Sequence, residues 1–177
     1  MLMMLAAIVN FLGSGLNVLI PQLVTQVFQG GPRLFGMMEA SLSGGALLGS
    51  VILLMWGGAA GILTSLAVAA LFQAGAGLAP IGEMAAAALG GAVVCWVIAD
   101  TLALTLFQEA VPAHVQGRIF SLKRALEQFT WPVSSLVTGL LAPAVLRADH
   151  FLVLSGMLSF VAVTGVAWLL DVQRLDV

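Results

Sequence analysis

The chain has 177 residues, of which 61% are hydrophobic and 8% charged, and six Lys+Arg against eight Asp+Glu give a net charge of −2. Soluble domains carry about 25% charged residues, so water is the wrong solvent for most of this surface. The composition excludes a disordered chain, a basic nucleic-acid binder and, because Cys95 is the single cysteine, an internal disulfide scaffold.

What remains is an all-α, polytopic membrane protein whose first partner is the lipid bilayer. A crossing helix needs about 20 mainly apolar residues, and that measure predicts six spans in a single domain over residues 1–177: Leu2–Thr25, Phe35–Trp56, Gly58–Ala79, Glu83–Phe107, Phe129–Leu146 and Phe151–Leu170. Strands are excluded because the runs lack the alternation of a barrel wall, and a lipid-facing backbone must satisfy its own hydrogen bonds.

The first span opens on Met1, Leu2, Met3 and Met4 with no flanking Lys or Arg and no signal-peptide pattern. A first span normally carries a charged anchor, which predicts further sequence upstream; a short protein with an unanchored N-terminus is the alternative. Asn10, Ser14, Asn17, Pro21 and Thr25 fall within one narrow arc of this helix. Asn10, Ser14 and Asn17 are read as lining a substrate or ion path, against the plainer role of helix–helix hydrogen bonding.

Gln29, Gly30, Gly31, Pro32 and Arg33 supply the turn into the second span. Glu39 lies early in that span on the face of Ser43 and Ser50 and is a secondary candidate site residue, its plain reading being an interfacial carboxylate reaching water. Gly45 and Gly49 form a small-xxx-small pattern that predicts close helix packing or a sliding contact. The third span is nearly all Ala, Leu, Val and Gly, with Thr64, Ser65 and Gln73 as exceptions.

The fourth span places Asp100, Thr101, Thr105 and Gln108 on one side. An ionised carboxylate at a helix centre in lipid costs about 2.5–3.5 kcal/mol, so Asp100 is either a proton- or cation-binding group in a translocation path or a neutral acid hydrogen-bonded to a neighbouring helix. Thr105 and Gln108 join it as path candidates. The connection that follows holds Arg118, Lys123 and Arg124, half of the six basic residues. Val115, Ile119, Leu122 and Leu126 alternate there with charged positions at helical spacing, which predicts an amphipathic helix over 115–128, lying at the membrane surface and running on into the fifth span. The positive-inside rule then puts this loop, and both termini, in the cytoplasm. The fifth span carries Gln128, Pro132, Ser135 and Thr138, and the sixth only Ser155, Ser159 and Thr164. Spans one, four and five are therefore expected to look inward, and spans three and six toward lipid.

Chemistry for an enzyme is missing from the pattern. His114 and His150 both fall in connections, no His-Glu-x-x-His or phosphate loop occurs, and Cys95 reads as a small packing residue. Neither a catalytic residue, a metal site nor a cofactor is expected.

Gln108, Val111 and Pro112, followed by Gly117, Arg118, Ile119 and Phe120, resemble the loop before the penultimate helix of major facilitator superfamily transporters, in particular bacterial drug, macrolide and siderophore exporters. Pro132 with Gly139, Leu140, Leu141 and Ala142, the opening Asn10 to Gly13 with Leu19, Ile20 and Pro21, and the glycines from Gly36 to Gly49 are similar to the same family. The resemblance implies the C-terminal six-helix half of a transporter in the plasma membrane. Its first and fourth helices would line a central cavity, its third and sixth would face lipid, and Gly117 and Arg118 would have a gating role at the cytoplasmic face. The turn after the second helix departs from the family, since Trp56 to Gly61 lacks the Arg or Asp–Arg often found there. The function expected is ion-gradient-driven efflux of amphipathic small molecules, with an N-terminal half or a second copy of the chain as partner. A truncated remnant that does not transport, or a six-helix assembly or binding subunit, is the alternative.

Overall fold

The computed structural model of the chain describes residues 8, 10–13, 15–53, 60–144 and 147–175, and all regular structure among them is helical. The helices are α1 (Leu16–Gln22), which continues as a π turn (Leu23–Val27), α2 (Pro32–Leu53), α3 (Ala60–Gly77), α4 (Gly82–Ala110), α5 (Ala113–Ala144) and α6 (Ala148–Leu175). Residues 10–13 are helical ahead of α1.

Local chemistry sets the breaks. Pro21 has no N–H to donate, and immediately after it the winding loosens into the π turn. Thr25 Oγ1 donates to the Pro21 carbonyl at 2.7 Å. Gln29 then takes a left-handed conformation at φ 49°, ending the helix as such residues do. Pro32 opens α2, where a missing N–H costs nothing. At the other end of the chain fold, Val111 is extended ahead of Pro112 and stops α4.

Pro32–Leu53, Gly82–Ala110 and Ala148–Leu170 are each long and apolar enough to cross a membrane. At 1.5 Å per residue the shortest of them spans about 33 Å, enough for a hydrocarbon core of about 30 Å. No more than 28% of the apolar window of each is buried inside the protein. Most of the apolar side chains therefore point outward, which is stable only in lipid. Gly61–Gly77 is apolar but shorter. Of the six spans expected from the sequence, three helices thus meet the length and hydropathy needed. α5 is a single rod of 32 residues whose first half carries the charges, and part of the first span lies outside the described residues.

The packing runs α2 to α4 to α3 to α6, with α4 and α3 each held on two sides. Glycine makes the approach possible. A Cβ on Gly45 would strike the Gly90 carbonyl, and one on Gly49 would meet the Val94 carbonyl at 2.7 Å. The small-xxx-small pattern of α2 is thus a backbone-to-backbone crossing with α4. In the α3–α6 seam the same role falls to Gly156, against Ala70 and Ala74.

The few polar groups of α3 and α6 serve that seam. Gln73 Nε2 donates to Ser155 Oγ at 2.8 Å, and both residues are buried together with Ser65 and Ser159. Outward, α3 and α6 expose Leu71, Phe72, Met157, Val161 and Trp168.

The core is lopsided. At the end where α2, α4 and α6 begin, Leu19, Ile20, Leu23, Val24, Met38, Leu89 and Leu152 form a cluster with four alanines. Toward the opposite end, Ile62, Leu66, Ala99 and Val163 form a second cluster among the described residues.

Candidate functional site

Asp100 of α4 and Lys123 of α5 meet beside the smaller cluster. Asp100 lies ten residues before the last residue of α4, Ala110, and Lys123 lies ten residues after the first of α5, Ala113. The chain turns at Val111 and Pro112 between the two helices, and the two side chains meet. Lys123 Nζ stands 3.8 Å from Asp100 Oδ1; the lysine side chain is 14% exposed and the aspartate 56%. The ammonium is largely sheltered, while the carboxylate keeps an open side. Residues 115–128, expected as an amphipathic helix, form the first half of α5.

Gln116 holds the turn. Its side-chain amide donates to the Gln108 carbonyl at 3.0 Å and to the Val111 carbonyl at 2.9 Å. These carbonyls belong to the end of α4 and the turn beyond it, where intrahelical donors run out. The sequence pattern around Pro112 thus has a structural purpose that its reading in the chain alone missed: Gln116 ties the start of α5 to the end of α4. Gly117 and Arg118 next to it face outward, and space around Gly117 is open. The Arg118 carbonyl accepts from Ser121 Oγ at 2.9 Å.

The other candidates are placed as follows. Asn10 is buried, and its Oδ1 has no hydrogen-bond partner. Ser14 lies outside the described residues. Asn17, Pro21 and Thr25 are exposed one turn apart on the same face of α1. Thr105 is exposed and returns its hydroxyl to the Thr101 carbonyl at 3.0 Å, and Thr101 does likewise to Val97 at 2.9 Å. Gln108 and Glu39 are exposed. No hydrogen bond or ion pair among the described residues joins Asn10 or Asn17 of the first helix to Asp100, Thr105 or Gln108 of α4. The structure brings Asp100 together with Lys123, which was not among the candidates.

Two residues of the fifth span do meet the first helix. Ser134 Oγ donates to the Phe11 carbonyl at 2.6 Å. A Cβ on Gly15 would meet Thr138 Oγ1 at 2.5 Å. A cavity of about 500 Å³ opens between the turns at Gly30–Gly31 and Pro80–Ile81, with Arg33 and Glu83 on its wall; none of the candidate residues lines it. No group of three His, Cys, Asp or Glu able to hold a metal ion occurs among the described residues.

An apolar helical bundle with few charged groups points to transport or assembly in a membrane, and comparison with known proteins narrows this. Over 182 aligned residues the chain is 24% identical to macrolide efflux protein A of Streptococcus pyogenes. The match covers 99% of this chain and 44% of that protein. The same values hold for macrolide efflux protein A of Streptococcus pyogenes serotype M6. The chain therefore spans less than half the length of the curated relatives it matches. No family model matches, and no solved structure does. The apolar surface and this similarity together describe a helical membrane protein that is distantly similar to an efflux protein and carries no assembled catalytic group among its described residues.

Proposed function

We propose that the chain is the C-terminal six-span half of a major facilitator-type secondary exporter in the plasma membrane, with both termini in the cytoplasm. It would act by alternating access against an N-terminal half or a second copy of itself. The observation that carries the reading is the similarity to macrolide efflux protein A along 99% of the chain. The open polar faces support it: Asn17, Asp100, Thr105 and Gln108 sit exposed on otherwise apolar helices, an arrangement that lipid alone disfavours and a shared aqueous cavity would satisfy. The cargo is an amphipathic small molecule, with macrolides as the first class to try. The energy source is an ion gradient, with protons the first candidate.

Reconstitution tests this directly. Proteoliposomes holding the chain, alone and together with its proposed other half, are loaded with a labelled macrolide and given a pH gradient. Gradient-driven release that falls at least about tenfold in Asp100→Asn, a barrier change of about 1.4 kcal/mol, supports the reading. Absence of release in both preparations favours a membrane assembly protein without transport. Release that is indifferent to Asp100→Asn removes Asp100 from coupling.

A further inference from the structure

The long helices are not equally attached. α2 and α4 meet through backbone contacts at Gly45, Gly49 and Gly90, α3 and α6 meet at Gly156, and α3 packs along α4. α5 is as long as any of them yet hardly touches α4 along its length. Its described links include the Gln116 bonds at the turn, the Lys123–Asp100 pair, the Ser134–Phe11 hydrogen bond, the contact of Thr138 with Gly15 and a short contact with α6. Leu122, Leu126, Phe129, Leu136 and Leu140 are all at least 55% exposed, so these five side chains form no apolar seam among the described residues.

We propose that Asp100 and Lys123 form a releasable latch, and that α5 swings from α4 about the Gln116-held turn, independently of the α2–α4–α3–α6 unit. Three observations fit a latch. At 3.8 Å the ion pair lacks a direct hydrogen bond. The carboxylate is 56% exposed, so water can replace the lysine at small cost. The turn carries two hydrogen bonds from one side chain and stays fixed while the rod above it moves. A half that rocks as a single rigid body would carry α5 with it; here the packing divides the half in two. The inference rests on this packing and goes beyond the export reading, so it stands or falls without a transport assay.

The test is a distance measurement on the full chain in lipid nanodiscs. In a Cys95→Ala background, spin labels are placed at the exposed positions Leu126→Cys on α5 and Trp96→Cys on α4. A second pair, Leu47→Cys on α2 with Trp96→Cys, reports on the α2–α4–α3–α6 unit. The double variant Asp100→Asn/Lys123→Gln removes both charges of the pair. Expected is a distance distribution roughly twice as broad for the α4–α5 labels, with the α2–α4 labels unchanged. The charge swap Asp100→Lys/Lys123→Asp, measured in parallel, should keep the wild-type width. An unchanged α4–α5 distribution in the double variant overturns the proposal. So does equal broadening of both label pairs, which would make the ion pair a support of the whole bundle, and so does a charge swap as broad as the double variant.

Discussion

Gly45 of α2 rests on the carbonyl of Gly90 in α4, so that the two helices touch backbone to backbone. In lipid there is no hydrophobic force to draw helices together, and close contact of main chains has to supply the attraction. The crossing therefore fixes the position of α4, and with it Asp100.

Gly45→Ala should weaken the fold by about 1–3 kcal/mol, because the added methyl meets a rigid carbonyl and not a side chain that can turn away. The neighbouring Gly44→Ala should stay within about 0.5 kcal/mol, since nothing lies within 4 Å of the methyl it would add. Reversible unfolding in mixed micelles distinguishes the two.

Gln73 and Ser155 form a buried bridge between α3 and α6. Interhelical hydrogen bonds in membranes average about 0.6 kcal/mol. A double-mutant cycle with Gln73→Leu and Ser155→Ala should return a coupling of about that size, reaching about 1.7 kcal/mol at most. A coupling of zero would mean that the amide finds another partner in the membrane.

Gly15 and Thr138 hold the first helix against α5. Gly15→Ala should destabilise by about 1–3 kcal/mol through overpacking. Thr138→Ala removes the hydroxyl that the new methyl would strike, so the double variant should recover most of that loss. Thermal unfolding of the single and double variants in detergent reads the recovery.

Gln116→Ala deprives the Gln108 and Val111 carbonyls of a donor. The loss should be about 0.5–1.5 kcal/mol and local to the turn. Hydrogen exchange should quicken at residues 107–112 while amides in α3 keep their rates. Arg118→Ala, by contrast, should leave exchange at the turn unchanged, because it is the backbone carbonyl of Arg118 that makes the described bond. Any effect of Arg118→Ala on transport would then belong to gating.

The sequence by itself determined that this chain is helical and belongs in lipid. Composition sets the solvent, and a backbone in that solvent must bond to itself. Pro32 and Pro112 act locally, and helices begin at or just after them. Residues on one helix keep a fixed angular relation, so the arc of Asn17, Pro21 and Thr25 and the side holding Asp100 and Thr105 were legible without coordinates. Only the tertiary structure decided what each arc meets. That Lys123 faces Asp100, that Gln73 reaches Ser155 across 82 residues, and that Gly45 chooses Gly90 depend on how far each rod is turned and slid against its neighbours. Those two quantities come from packing many side chains at once, and no spacing along a single helix encodes them.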